Sequence, residues 1–93
     1  MPHKLIIKPE AEIELIEALE WYEKKQTGLG RKLYLEFDTI FEDIATRPEH
    51  FQKRYRDIRV RFTRTFNFGI HYTFENDTMF VHAIWHTSRK PLK

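Results

Sequence analysis

Arginine and histidine are the side chains in this sequence best suited to chemistry, and they gather late in the chain. Arg59, Arg61 and Arg89 carry guanidiniums, His71, His82 and His86 carry imidazoles, and Ser88 is the only serine. Guanidiniums converging on a sheet can hold phosphate oxygens and stabilise charge developing on a scissile phosphate, without a metal or a covalent intermediate. The same side chains can bind an acidic peptide. The residues alone leave these two uses open.

The other constellations are weaker. His82 and His86 have the spacing that pairs imidazoles for zinc on a helix, but they fall in a strand pattern, where four residues span about 13 Å and no single ion reaches both. Ser88 lies two residues from His86, yet nothing in the sequence marks the third group that would orient a nucleophile and its base. His71 and His82, opposed across a hairpin, would form a proton relay or simply cap a half-exposed sheet face. GLG at 28–30 is too short for a phosphate loop. Without cysteine there is no disulfide, thiol nucleophile or thiolate metal site, so no metal and no cofactor is expected.

Three consecutive strands must position these residues: IRVRFT from Ile58, NFGIHYTFE to Glu75, and TMFVHAIWH to His86. In the middle one Phe68, Ile70, Tyr72 and Phe74 alternate with Gly69, His71, Thr73 and Glu75, the period of a half-buried strand. Asn76-Asp77 suits a two-residue hairpin turn, because both residues tolerate positive φ. Glu75 then pairs with Thr78, Tyr72 faces Val81, Ile70 faces Ala83, Phe68 faces Trp85, and His71 sits opposite His82. Ile58, Val60 and Phe62 are expected on the core face. Arg59 and Arg61 then share the open face with the histidines.

Earlier in the chain HKLIIK at 3–8 reads as a strand joining an edge of this sheet. Pro9 and the glutamates after it favour a helix start. Ala11, Leu15, Ala18, Leu19 and Tyr22 recur at helical spacing and predict a helix from about Glu10 to Lys25. QTGLG breaks it, and Leu33, Phe37, Ile40 and Ile44 predict a second helix from Leu29 to Ala45. So short a link makes an antiparallel helical hairpin, with both stripes on the aromatic side of the sheet. Pro48 ends the second helix, and Pro48 to Tyr55 is expected to be a loop anchored by Phe51. The order is β-α-α-β-β-β, an α+β fold with the helices on one sheet face, in one domain spanning residues 1–93.

Net charge is only +2, but it is segregated. Glutamates from Glu10 to Glu23 crowd the first helix, whereas Lys53, Arg54, Arg56, Arg59, Arg61 and Arg64 crowd a later stretch. Such asymmetry serves an anionic partner, nucleic acid or acidic protein. No apolar run approaches the roughly 18 residues of a membrane span and the N-terminus lacks a signal-peptide core, which points to a cytoplasmic protein and no membrane partner.

EALEWYEKKQTGLG, the helix ending IATRPEHF, IRVRF, the segment FNF and AIWHTSRKP, in that order, are similar to the RelE/ParE superfamily of bacterial toxins from type II toxin-antitoxin modules. The likeness covers nearly the whole chain. It implies growth inhibition, a role such as plasmid stabilisation, and a cognate antitoxin bound in a hetero-oligomer. Arg59, Arg61, Arg64 and Arg89 are the residues expected to meet acidic groups of that partner. RelE-type toxins cut messenger RNA on the ribosome with basic sheet residues; Arg59, Arg61 and Arg89 match those places, with His86 the candidate for proton transfer. The RelE arginine of the middle strand falls at Gly69, however, and no tyrosine follows the last strand. ParE-type toxins, which poison DNA gyrase and are not hydrolases, share Trp21-Tyr22-Glu23, Gly28-Leu29-Gly30 and the Ala83, Ile84, His86, Arg89 ending. A ParE-like gyrase poison is therefore the expected function. A RelE-like nuclease and an inactive antitoxin-binding scaffold are the alternatives.

Overall fold

In the computed structural model, which describes residues 3–88, the elements run β1 (Lys4–Ile7), α1 (Pro9–Lys25), α2 (Leu29–Thr46), β2 (Lys53–Tyr55), β3 (Ile58–Phe62), β4 (Phe68–Glu75) and β5 (Thr78–His86). They build one five-stranded sheet in the order β1-β5-β4-β3-β2. The N-terminal strand joins it in parallel, Lys4 opposite Thr78 and Ile7 opposite Val81, while the other neighbours are antiparallel. The fold is α+β, as the hydrophobic periods predict. No helix of the described residues is long and apolar enough to cross a membrane.

Each helix forms where its sequence directs. Pro9 occupies the first turn of α1, with Glu10 and Glu12 at its N-terminal end and Lys24 and Lys25 in the last turn, the signs that complement the helix dipole. Between the helices Gly28 takes the left-handed conformation (φ 95°) that a side chain disfavours. The Glu23 carboxylate accepts the Gly28 and Gly30 amides at 3.1 and 3.0 Å, satisfying donors that the start of α2 leaves without helical partners. A Cβ at Gly30 would lie 2.9 Å from the Leu19 carbonyl, so glycine is what lets the helices approach this closely.

Both apolar stripes meet the sheet as expected. Leu33, Phe37, Ile40 and Ile44 of α2 are buried against Phe68, Ile70 and Tyr72 of β4, with Leu15, Leu19 and Tyr22 of α1 packed around them. Phe37 meets Phe68 edge-on at 5.6 Å, the arrangement aromatic quadrupoles favour. Phe74 is only partly buried at the margin of this cluster.

Three details depart from the expected sheet. Lys53–Tyr55, expected within a loop, forms β2 and pairs with β3; a three-residue strand is too short for alternation to show. The hairpin keeps its predicted start, with Asn76 and Asp77 at positive φ, Glu75 opposite Thr78 and Tyr72 opposite Val81. A bulge between His71 and Tyr72 on this ladder then shifts the register, so that His71 faces Ala83, Ile70 faces Ile84 and Phe68 faces His86. Strict alternation would have turned Ile84 outward and Trp85 inward; the extra residue buries Ile84 instead.

The third departure moves the arginines. Arg59 pairs with Tyr72 and Arg61 with Ile70, and directly paired residues share a face. Arg59 and Arg61 are therefore on the helix side, and Val60 lies outside with His71. An alternating strand fits either face equally well until its register is known. Gly69 favours this one: a Cβ there would sit 3.2 Å from both Val60 and Phe62, which close over the missing side chain on the outer face.

Candidate functional site

The helix side of β3 is where the conspicuous arginines go, and it is covered by the chain after α2. Arg59 Nε donates to the Phe51 carbonyl at 2.8 Å, and the Tyr72 hydroxyl donates to the Pro48 carbonyl at 2.8 Å. Burial pushes the Tyr72 phenol up to about 12, against the opposing charges of Arg59 and Arg61. Arg61 stacks its guanidinium over the Phe51 ring at 4.9 Å and reaches Asp43 of α2 at 3.5 Å. These three side chains bind the 48–51 segment and the end of α2 to the sheet. Phe51 is thus an anchor, as expected, with its backbone carbonyl engaged as well.

His86 lies elsewhere, on the other flank of β4. Its ring meets Phe68 edge-on at 5.2 Å, and Nδ1 accepts the Ser88 amide at 3.2 Å with the Ser88 hydroxyl at 2.8 Å. That arrangement leaves the proton of the neutral imidazole on Nε2. It also makes the His86–Ser88 pair a local turn contact. The two residues line a groove of about 410 Å³ between α1 and β5, whose apolar walls include Ala18, Trp21, Tyr22 and Ile84. Trp21 is 55% exposed there and carries Lys25 Nζ 4.6 Å from its ring centroid.

α1 holds the groove's edge through one carboxylate. Beyond Val81 the outer side of β5 runs past the end of β1, and Glu14 takes over: Oε1 accepts the Ile84 amide at 2.9 Å and Oε2 the Trp85 indole N–H at 2.8 Å. A strand edge that would otherwise expose donors is thereby capped by a helix side chain.

The outer sheet face is aromatic. Tyr55 of β2 is hydrogen-bonded to His71 Nδ1 at 2.9 Å, and the His71 ring lies 4.8 Å from Trp85. His82 Nε2 bonds Thr73 Oγ1 at 2.8 Å, so the two histidines have separate partners and form no relay. Both imidazoles are held below their ordinary range, chiefly by burial; for His71 the Glu14 charge acts in the opposite direction.

The sites expected from sequence are therefore dispersed. Arg61 and Arg64 line one hollow together, Arg59 is tied beneath the 48–51 segment, His86 is in the α1 groove, and Arg89 lies outside the described residues. Among the described residues no three His, Asp or Glu side chains gather as metal ligands would. What sequence reading missed is Glu14 as a clamp and the Tyr55–His71–Trp85 layer. The spacing of Val81 and Ile84, two buried aliphatics three apart in a strand, is the signal for the bulge that creates the latter.

Residues 5–91 match the family model described as the ParE toxin of type II toxin-antitoxin system, parDE. Among solved structures, the chromosomal ParDE TA system from P. aeruginosa superposes with a TM-score of 0.79, covering 90% of this chain and 95% of that one at 10% identity. At that identity the likeness is one of fold. No curated protein sequence matches.

Proposed function

The chain belongs to the ParE toxin family of type II toxin-antitoxin systems, and from that premise we propose that it poisons DNA gyrase by binding it, and that a cognate antitoxin neutralises it in a hetero-oligomer. The observation that carries the binding reading is the dispersal of the basic groups. Arg59 and Arg61 are engaged with Phe51, Asp43 and Phe62, and His86 is on the opposite flank. Metal-free phosphodiester cleavage needs charge stabilisers and a proton-transfer group within reach of one phosphate. The groove between α1 and β5, with Trp21 and Tyr22 at its wall, instead suits an apolar anchor of a protein partner.

Induction in a bacterial host, with and without the antitoxin, tests this directly. Expected are growth arrest relieved by the antitoxin, gyrase-dependent DNA breaks, and primer-extension profiles of messenger RNA without new cuts. Site-specific cuts in ribosome-bound messenger RNA would replace this reading with the RelE-type one. Unimpaired growth with folded protein accumulating would leave an antitoxin-binding scaffold.

A further inference from the structure

The helical hairpin carries an open slot on the side turned away from the sheet. α1 and α2 come together where Gly30 meets the Leu19 carbonyl, and a hollow of about 360 Å³ at that contact is lined by Leu19, Gly30 and Tyr34 together with Glu20 and Arg31. Tyr34 is 47% exposed, and so is Ile16, which lies one turn from Leu19 and Glu20 on α1. Exposed apolar side chains grouped around a hollow and rimmed by charge mark an interaction surface.

The charges of this slot have both signs and are arranged to meet a copy of the same face. Glu20 follows Leu19 and Arg31 follows Gly30, the two residues in contact, so the carboxylate on α1 and the guanidinium on α2 stand at the same height along the hairpin. Neither has an oppositely charged partner within ion-pair distance among the described residues. The third charged group of the slot, Glu23, is committed to the Gly28 and Gly30 amides. A two-fold axis lying along the slot, parallel to the helices, lays α1 of one copy over α2 of the other. It brings Glu20 of each chain opposite Arg31 of the other.

We propose that this face is the interface of a homodimer, an isologous contact in which Tyr34 and Ile16 of each chain pack across the axis and Glu20 of each pairs with Arg31 of the other. A partner segment of one sign, acidic or basic, would set one of these two groups against its own charge, whereas the same face turned over supplies both complements. Tyrosine suits such a contact, because its ring is apolar and its hydroxyl tolerates the wet rim. With 17 residues α1 is about 25 Å long, and two helices of about 10 Å diameter side by side present roughly 500 Å². That is below the roughly 800 Å² per partner of a standard stable complex, so the dimer is weak and depends on concentration. Dimerisation through this face is independent of which target the toxin binds.

Sedimentation equilibrium of the intact protein without antitoxin, over about 1 to 200 µM, reads the association. A reversible monomer–dimer equilibrium is expected, weakened by added salt. Glu20→Arg and Arg31→Glu should each weaken the dimer by at least about tenfold, because symmetry sets two like-charge contacts in every assembly. Mixing the two variants should restore association, since each then offers the charge that the other lacks, and so should the Glu20→Arg/Arg31→Glu double variant. Tyr34→Ala should weaken the dimer too. All three side chains are exposed, so circular dichroism should confirm folded variants. Wild type that stays monomeric throughout, a dimer indifferent to all three substitutions, or mixed charge variants that fail to associate would overturn the proposal. Antitoxin assembly lost in Tyr34→Ala while the protein alone is monomeric would also overturn it, and would give the slot to an unlike partner.

Discussion

Trp85 gives its indole N–H to the Glu14 carboxylate at 2.8 Å, so a residue of the first helix closes the edge of the last strand. The other carboxylate oxygen receives the Ile84 amide at 2.9 Å. Hydrogen bonds to a charged acceptor contribute about 1.5 to 3 kcal/mol each in favourable cases, and a donor left buried without one is penalised. Glu14→Ala should therefore destabilise by about 2 to 4 kcal/mol, lowering the melting temperature by on the order of 10 °C or more. Glu14→Gln keeps an acceptor for only one donor and should fall between. A melting temperature unchanged in the alanine variant would mean that the clamp contributes nothing.

Phe37 should be among the most sensitive core positions. It is fully buried and meets Phe68 edge-on and Phe41 in a stacked arrangement, at 5.6 and 6.4 Å between ring centres. Truncation to alanine removes the ring and leaves a void that rigid neighbours on the sheet cannot fill, a loss of about 3 to 5 kcal/mol. Denaturant titration measures it. A loss near zero would contradict the packing of α2 on β4.

The helices and their apolar faces were legible because a stripe such as Leu33, Phe37, Ile40, Ile44 has only one way to face a core. The turn at Asn76-Asp77 was legible from residue chemistry. The face of β3 was not, because Ile-Arg-Val-Arg-Phe reads identically in either orientation. What decides it is distant in sequence: Gly69 on the neighbouring strand leaves room outside for Val60 and Phe62, and the Phe51 carbonyl and Asp43 offer partners inside for Arg59 and Arg61. The bulge left only a weak trace in the spacing of Val81 and Ile84, and the carboxylate that receives the Ile84 amide beyond it belongs to Glu14, seventy residues earlier in the chain. The basic cluster was visible as composition. Its division between structural contacts and an open cleft required the fold.

The two histidines of the outer face predict an acid sensitivity. Burial holds His71 and His82 below the ordinary value of 6.5. Well above that value both the native and unfolded states are neutral at these positions, and no penalty arises. As pH falls through it, the unfolded chain binds protons before the native state does, so native stability declines. The melting temperature should drop between about pH 7.5 and pH 5.5, before most carboxylates titrate. A His71→Gln, His82→Gln double variant should flatten that slope. An identical slope in the double variant would assign the acid sensitivity to other groups.

Arg59 gives the sharpest contrast between a catalytic and a structural role. A residue reserved for stabilising charge on RNA would be dispensable for folding, and its removal would lower cleavage on the order of a hundredfold while leaving the melting temperature nearly unchanged. In this fold Arg59 Nε bonds the Phe51 carbonyl at 2.8 Å beside the Tyr72 to Pro48 bond. Arg59→Ala should then release the segment over the sheet and lower stability by about 1.5 to 3 kcal/mol, the range for a hydrogen bond involving a charged group. Amide exchange should rise first around residues 48–51 and not across β4. Arg59→Lys lacks the planar fork and should restore only part of the loss. Full stability and unchanged exchange in Arg59→Ala would show the contact to be dispensable, freeing this arginine for a substrate or partner.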